Sequence, residues 1–389
     1  MKLEQDVCNG SKRKQIYKCG WLWQTGYYAK TKRKGGRGMR EGWEYKKLNE
    51  VCDKSSSNIV INKLDDNNGD YPLFGASGLV KNVDFYHQDK PYIGIVKDGA
   101  GVGRVNTYPA YSSLVGTMQY IFPKEECLLN YVKYFLVKLD LSHCVSGATI
   151  PHIYFKDYGK ELIPVPPLST QLSIVSELDK ISELIRLKKE QLKDYDNLAQ
   201  SIFYEMFGDP VVNEKGWEVK RITDLCIEIS AGGDASKHEI KKTKDEIFSV
   251  PVYSNGIDED GLYGYSNHAT INQPAITLAA RGTIGAAFIR TEPYIPIIRL
   301  VSVIPDLSKI SLTYLFYILK QTEWDRTGGT IPQLPVPKVK QLTLPLPPLP
   351  LQQLFAQRIE LIEQQKAEIQ STIADLETLL ASRMQYWFD

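Results

Sequence analysis

Seven side chains in this sequence have the chemistry and the spacing to contact nucleic acid. They lie in two kinds of repeated loop and are Lys97, Arg104, Thr149, His152, Arg281, Thr330 and Gln333. Lysine and arginine bind phosphate oxygens, whereas Thr, His and Gln exchange hydrogen bonds with the sugar–phosphate backbone or with base edges. We therefore take these seven residues as candidate DNA contacts.

The three cations lie on glycine-rich segments that follow strand-like runs. Lys97 and Arg104 flank Gly99–Gly103, and Arg281 precedes Gly282. Each segment predicts a hairpin between two strands, and the hairpin either is purely structural or also reaches DNA. A nucleotide-binding loop is disfavoured, because the spacing is not GxGxxG and no helical pattern follows.

The four remaining candidates belong to a loop that occurs twice. Thr149-Ile150-Pro151-His152 is matched by Thr330-Ile331-Pro332-Gln333. Small residues, a hydroxyl and a His or Gln suit close approach to DNA. The alternative, equally open, is a loop that fixes the globular part to the helix that follows it.

The sequence offers no catalytic, cofactor or metal site. It contains no GxxxxGK[ST], HExxH, GxSxG or Asn-Pro-Pro-aromatic motif, and the histidines form no i,i+4 pair. His152 lies in a repeated motif whose other copy has Gln333, and a catalytic residue should not be optional. The six cysteines contain no CxxC pair, which predicts free thiols in a reducing cytosol.

An internal repeat is the strongest signal in the chain. Gly42-Trp43-Glu44 recurs as Gly216-Trp217-Glu218. Three further matches keep a constant offset of 181 residues, and they are Thr149–Pro151 with Thr330–Pro332, Pro164–Leu168 with Pro345–Leu349, and Phe207 with Phe388. The chain therefore contains one unit in two copies, and each copy consists of a globular part, a proline-rich stop and a long helix.

About 37 residues without Gly or Pro end each copy, and apolar residues recur in them at alternating steps of four and three. This pattern predicts a coiled coil about 55 Å long. The predicted seam comprises Leu178, Ile181, Ile185, Lys188 and Leu192 in the first copy and Ile359, Ile362, Lys366, Ile369 and Ile373 in the second.

The orientation of the two helices and the role of their seam lysines are open to alternatives. The helices could run parallel or antiparallel, and we prefer an antiparallel pair, which makes the molecule pseudo-two-fold symmetric. Lys188 and Lys366 either set the register of the pair or place their charged ends at its edge.

With the repeat and the helices established, the chain resembles the specificity subunit of type I restriction–modification systems. The Gly-Trp-Glu starts, the Thr-Ile-Pro loops and the Pro-x-Pro-Pro-Leu stops followed by Gln171 and Gln352 carry the resemblance over residues 42–388. The fold class it implies is α+β, with two mixed α/β target-recognition domains separated by two long helices that form an antiparallel coiled coil. The expected parts are a basic N-terminal extension (1–41), recognition domain 1 (42–168), helix 1 (169–207), recognition domain 2 (208–349) and helix 2 (350–389).

The resemblance implies a non-catalytic subunit that reads a bipartite target in double-stranded DNA. It also implies that the helices set the gap between the half-sites and dock methyltransferase subunits, and that motor-nuclease restriction subunits join for cleavage. Two rivals are a coiled-coil adaptor without DNA reading and a fused enzyme that reads and cuts by itself. The absence of catalytic motifs argues against the fused enzyme.

The charge distribution alone does not predict nucleic-acid binding. The net charge is +1, and residues 42–168 and 208–349 each carry one more acidic than basic residue. We therefore expect weak DNA binding by this chain alone, with partner subunits supplying phosphate contacts. Residues 1–41 are strongly basic and are either an added DNA-contacting arm or a disordered or mis-assigned start. No apolar run suggests a membrane span or a secretion signal, so we expect a cytoplasmic protein.

Overall fold

The computed structural model of the chain describes residues 40–147, 149–324 and 333–389. These residues form two compact units. The first unit comprises the described residues up to Ser176 together with Arg383–Asp389, and the second comprises Glu177–Ser382. Two features of the sequence, Thr330 and residues 1–39 of the basic extension, lie outside the described residues.

The first unit is built from short strands and helices. Its strands are β1 (Glu44–Lys47), β2 (Cys52–Ser56), β3 (Tyr71–Gly75), β4 (Gly78–Val83), β5 (Tyr92–Val96), β6 (Val105–Tyr108), β7 (Ser113–Leu114), β8 (Met118–Pro123) and β9 (Leu162–Val165). Its helices are α1 (Leu48–Val51), α2 (Leu129–Lys138) and α3 (Phe155–Tyr158), followed by the start of α4 (Leu168–Phe207).

Two sheets and a ribbon organise the first unit. The four-stranded sheet has the order β2-β8-β5-β6, and the three-stranded sheet has the order β4-β3-β7. β5 is buried at all five positions, as expected for the apolar run of a central strand. Tyr92, Leu73 and Tyr120 are fully buried between the sheets. The antiparallel ribbon β1-β9 brings the start of the unit beside the segment that leads into α4.

The second unit repeats this plan. Its strands are β10 (Glu218–Arg221), β11 (Cys226–Ala231), β12 (Val250–Tyr253), β13 (Leu262–Ser266), β14 (Ala275–Leu278), β15 (Ala287–Arg290), β16 (Ile295–Pro296), β17 (Val301–Pro305) and β18 (Thr343–Leu346). Its helices are α5 (Ile222–Leu225), α6 (Leu312–Gln321) and α7 (Val336–Lys340), together with most of α4 and of α8 (Leu349–Phe388).

The order of the strands is the same in the two units. The sheets of the second unit read β11-β17-β14-β15 and β13-β12-β16, and its ribbon is β10-β18. The predicted internal repeat, with mixed α/β folding in each copy, is therefore confirmed in three dimensions.

The two long helices are continuous and contain 40 residues each, or about 60 Å at the rise of an α-helix. Within the second unit they run antiparallel. Lys189 Nζ lies 2.7 Å from Glu377 Oε1, and Lys366 Nζ lies 2.8 Å from Asp196 Oδ1. Because one residue number rises while its partner's number falls, the chain directions are opposite. The preferred antiparallel coiled coil is confirmed.

Most of the predicted seam is buried. The seven buried members are Leu178, Ile181, Ile185, Ile359, Ile362, Ile369 and Ile373, whereas Leu192 is half-buried. Lys366 is also half-buried, and it pairs with Asp196 across the helices as well as with Glu363 on its own helix. Lys188 Nζ instead donates to Gln191 within α4.

A buried glutamine fastens the start of each long helix to its globular part. The Gln171 amide donates to the carbonyls of Glu126 and Pro166, and its Oε1 accepts from the Leu128 amide. Gln352 is placed in the same way. Its Oε1 accepts from the Ser311 amide, and its Nε2 donates to the Pro347 carbonyl. These glutamines, which carried part of the family resemblance, are structural.

Candidate nucleic-acid interface

A glycine-rich hairpin joins β5 to β6 in the first unit and carries Lys97 and Arg104. Gly99 (φ 90°) and Gly103 (φ 87°) adopt left-handed backbone conformations that favour glycine. The Gly103 amide donates to the Val96 carbonyl and closes the hairpin. The chain continues into a strand rather than a helix, which argues against a nucleotide-binding loop.

The repeated Thr-Ile-Pro loop packs directly against this hairpin. The Gly99 amide donates to the Pro151 carbonyl at 3.0 Å, and the Ile153 amide donates to the Lys97 carbonyl at 2.9 Å. His152 Nδ1 lies 2.7 Å from Asp98 Oδ1. The structure thus brings together two motifs that the sequence presented separately.

The His152–Asp98 pair defines which hydrogen bonds the first unit can offer. A carboxylate oxygen only accepts, so Nδ1 of His152 is the donor in this bond, and Nε2 is the ring nitrogen outside it. Both side chains are about one third exposed. Beside them the half-exposed ring of Tyr154 stacks with His152. An imidazole next to an exposed aromatic ring suits the edges and faces of DNA bases.

The second unit builds the same junction with different side chains. Arg281 and Gln333 form an isolated antiparallel bridge, and the Leu334 amide donates to the Ala280 carbonyl at 2.9 Å. Arg281 Nη2 lies 3.4 Å from Gln333 Oε1. Gly282 (φ 70°) and Gly285 (φ 86°) take the places of the two left-handed glycines, in a hairpin one residue shorter.

The bond from the Leu334 amide to the Ala280 carbonyl matches that from the Ile153 amide to the Lys97 carbonyl. Arg281 therefore corresponds to Asp98, and Gln333 corresponds to His152. The site therefore has opposite charge in the two units, a carboxylate in one and a guanidinium in the other. A backbone arrangement kept twice with its exposed chemistry reversed is what two readers of different sequences need.

The other predicted contacts are placed as follows. Lys97 is half-buried with its Nζ 3.9 Å from Asp98 Oδ2, and the exposed Arg104 donates from Nη1 to the Ala76 carbonyl at 3.3 Å. Thr149 is exposed in the loop. Thr330 lies outside the described residues. Arg104 thus braces the hairpin against Ala76, and contact of Lys97 or Arg104 with DNA stays a prediction.

Sequence reasoning missed two groups of residues beside the second hairpin. Asn255 donates to the Ile298 carbonyl and accepts from the Ala280 amide. Ile298 and Arg299 are exposed at a tight turn. The Asn255-Gly256 dipeptide is a turn signal that could have drawn attention to Asn255. The turn at Ile298 carried no signal, because Ile297–Val301 is an apolar run broken only by Arg299 and resembles a strand.

A lysine-rich segment, residues 237–244, forms part of the same unit. Lys241 packs over the ring of Phe248, and Lys242 packs over that of Tyr263. Nδ1 of His238 lies 3.3 Å from Nε2 of His268. Burial, the nearby His268 ring and Lys237 lower the pKa of His238 below its usual 6.5. The ring is therefore predominantly neutral at pH 7.

Metal binding and thiol chemistry find no support in residues 40–147, 149–324 and 333–389. No cluster of three or more metal-ligating side chains occurs among them. Burial raises the pKa of the free thiols of Cys127, to about 11, and Cys226, to about 12. Thiols with such pKa values remain protonated and unreactive near pH 7. In the same ranges, no helix is both long and apolar enough to cross a membrane.

Comparison with known protein families agrees with the repeat. The pattern described as the type I restriction modification DNA specificity domain matches residues 40–194 and again residues 214–377.

Known proteins and structures are similar over most of the chain. A protein of Mycoplasma pneumoniae named as a type I specificity subunit is 27% identical over 331 residues, or 81% of this chain and 87% of that protein. A type I restriction enzyme specificity subunit of Methanocaldococcus jannaschii is 24% identical over 60% of this chain and 62% of its own. The crystal structure of an S subunit from M. genitalium superposes with a TM-score of 0.55 at 15% identity, covering 92% of this chain and 98% of that one. The last likeness concerns the fold alone.

Proposed function

The chain belongs to the type I restriction–modification DNA specificity family, and on that premise we propose that each repeated unit reads one half of a bipartite target in double-stranded DNA. Membership implies recognition of a DNA target. The hairpin and the Thr-Ile-Pro loop of each unit form the reading surface. The observation that carries this proposal is the junction built twice on one topology, with Asp98–His152 in one unit and Arg281–Gln333 in the other.

The two junctions suit different bases. Arginine donates two hydrogen bonds to guanine O6 and N7, and glutamine pairs with adenine N6 and N7. His152, held through Nδ1 by Asp98, instead offers Nε2 of its imidazole for a single hydrogen bond with a base edge. Lys97, Arg104 and Thr149 lie beside the first junction and contact the backbone. Thr330, from the matching loop, has the equivalent role in the second half.

The helices have two roles in this proposal. Their stiffness sets the spacing between half-sites, and their outer faces dock the methyltransferase subunits, which restriction subunits join for cleavage. Supporting the second role, several leucines on α4 and α8 are 44–63% exposed, namely Leu172, Leu184, Leu187, Leu198, Leu354, Leu361 and Leu379. Exposed leucines one turn apart on a helix, such as Leu184 and Leu187, are neighbours on its surface, and adjoining apolar side chains of this kind mark surfaces that another protein covers. The chain itself acts without catalysis, and its partners supply methyl transfer and cleavage.

The same leucines favour a second candidate, a coiled-coil adaptor that joins proteins without reading DNA. The two functions differ in one measurable respect. A reader transfers its sequence preference with its recognition unit, whereas an adaptor has none to transfer.

The decisive experiment exchanges residues 42–168 for the corresponding segment of a relative and maps methylated sites in a host genome that also carries the methyltransferase subunit. We expect one half of the methylated sequence to change while the other half and the spacer length persist. If the methylated sites are the same with and without the unexchanged chain, DNA reading is refuted and the adaptor function is favoured.

A further inference from the structure

The tight turn at Ile297–Leu300 has an unusual backbone. The Leu300 amide donates to the Ile297 carbonyl, and both central residues have positive φ, 55° at Ile298 and 64° at Arg299. A turn of this kind prefers Asn-Gly, because left-handed conformations disfavour side chains and above all β-branched ones. Ile298 and Arg299 therefore keep their side chains at two positions where glycine would relieve the backbone strain.

The corresponding turn of the first unit has no such feature. It runs from Val115 to Met118 and is closed by the same bond, from the Met118 amide to the Val115 carbonyl. Its central residues are Gly116 and Thr117, and neither has positive φ. The strained turn with an arginine is thus specific to the second unit.

The two units also differ in how this turn is joined to the hairpin. In the first unit, the amides of Lys97 and Asp98 donate directly to the Thr117 carbonyl. In the second, the side chain of Asn255 stands between the turn and the hairpin. Its Oδ1 accepts from the Ala280 amide at 2.7 Å, and its Nδ2 donates to the Ile298 carbonyl. A backbone donor on one side and a backbone acceptor on the other fix the orientation of the amide.

Asn255 holds the hairpin a second time, because its own carbonyl accepts from Thr283 Oγ1 at 3.0 Å. The equivalent carbonyl in the first unit is that of Ala76, which accepts from Arg104. Alanine cannot provide the two side-chain bonds. Asn255 therefore sets the position of the turn relative to the Arg281–Gln333 junction.

We propose that Arg299 is a specificity-determining residue of the second unit, which reads the acceptor edge of a guanine, and that Asn255 is its positioning residue. This inference rests on the proposed function and deepens it. The Arg299 side chain is exposed, and within the described part of the chain its guanidinium has no hydrogen bond or ion pair. An unpaired guanidinium on a stiff turn beside a reading junction is ready to donate to O6 and N7 of a guanine in the major groove.

The test compares four variants in the complex with the methyltransferase subunit. Arg299→Gly removes the side chain and gives the turn a residue that it prefers, and Arg299→Lys keeps the charge without the paired donors. Asn255→Ala installs the residue of the first unit. Arg221→Ala, at an exposed arginine on the β10-β18 ribbon of the same unit, is the matched control.

We expect Arg299→Gly to relax one position of the second half-site, lowering discrimination there about ten- to a hundred-fold. Arg299→Lys should relax it in part, and Asn255→Ala should relax the same position. The first half-site should stay unchanged in all variants. The methylated sites of Arg221→Ala should be those of the parent protein. Thermal melting of Arg299→Gly should be unchanged or higher, since the turn loses strain, and a purely structural arginine would give a lower melting temperature.

Three results would overturn the inference. Unchanged methylated sites in Arg299→Gly would exclude a role in specificity, and so would a loss of stability that accounts for the altered sites. A uniform loss of affinity with a smaller salt dependence and an unchanged sequence would assign Arg299 to phosphate. A parent chain that directs no bipartite methylation would instead refute the proposed function, so the two failures are distinguishable.

Discussion

His152 and Asp98, 54 positions apart in the sequence, are joined side chain to side chain, with Nδ1 of the imidazole 2.7 Å from Oδ1 of the carboxylate. The pair links the Thr-Ile-Pro loop to the glycine-rich hairpin, and backbone hydrogen bonds on either side of it make the link rigid. At the same place the second unit has Arg281 and Gln333. Exchange of charge on a fixed backbone is therefore the main chemical difference between the two proposed reading surfaces.

Transplanting the second pair into the first unit tests whether this junction reads sequence. The double variant Asp98→Arg with His152→Gln should fold, because the same pair is accommodated by the same backbone in the second unit. We expect it to lose preference for the parent first half-site by about tenfold or more, the scale of one paired base contact. Mapping of methylated sites is the measurement, and an unaltered first half-site would show that the junction is structural only.

Removing the Gln171 amide should destabilise the first unit. Gln171→Leu keeps much of the volume but leaves the Leu128 amide and two carbonyls without the partners shown here. Buried groups without partners predict a loss of about 2–4 kcal/mol in the free energy of unfolding. Urea denaturation measures it, with Gln370→Leu, at an exposed glutamine of α8, as the control. Equal stability of the two variants would contradict the anchoring role.

Neighbouring positions on α4 should separate helix pairing from partner docking. Ile185 is buried in the cluster with Ile369 and Ile373, whereas Leu184 is 47% exposed. Ile185→Ala should lower the free energy of unfolding by about 2–5 kcal/mol, the usual cost of such a cavity. Leu184→Ala should change it by under about 0.5 kcal/mol and weaken association with the methyltransferase subunit. Urea denaturation and a pull-down with that subunit test both expectations. A large loss of stability in Leu184→Ala, with little loss in Ile185→Ala, would show that the seam has been assigned to the wrong residues.

The His238–His268 contact predicts acid sensitivity of the second unit. Burial, His268 and Lys237 lower the pKa of His238 in the folded state below 6.5, so the unfolded chain binds more protons in the window just below that pH. Stability should accordingly fall as the pH decreases from about 6.5, and His238→Gln should reduce this part of the fall. Melting temperatures between pH 7.5 and 5.5 provide the measurement. The same pH slope in both proteins would assign the acid sensitivity to other groups.

The sequence predicted the parts of the fold that depend on periodic patterns. The heptad spacing of residues such as Ile181 and Ile369 indicated long paired helices, because burial of one helix face requires apolar residues every three or four positions. Seam position Lys366 proved to pair across the helices with Asp196, which is beyond what spacing can specify. The family resemblance followed from motif order, which is likewise a property of the chain alone.

By itself, the sequence determined the duplication, the helix pair and the location of two candidate loops in each copy, because these follow from repetition and from periodic burial. Only the tertiary structure decided that Asp98 corresponds to Arg281, that Asn255 stands between a hairpin and a turn, and that Ile298-Arg299 forms a strained turn rather than a strand. Those relationships depend largely on hydrogen bonds between distant residues, such as Asn255 and Ala280, 25 positions apart, or Asp98 and His152, 54 positions apart. No local propensity encodes which distant donor will meet which acceptor.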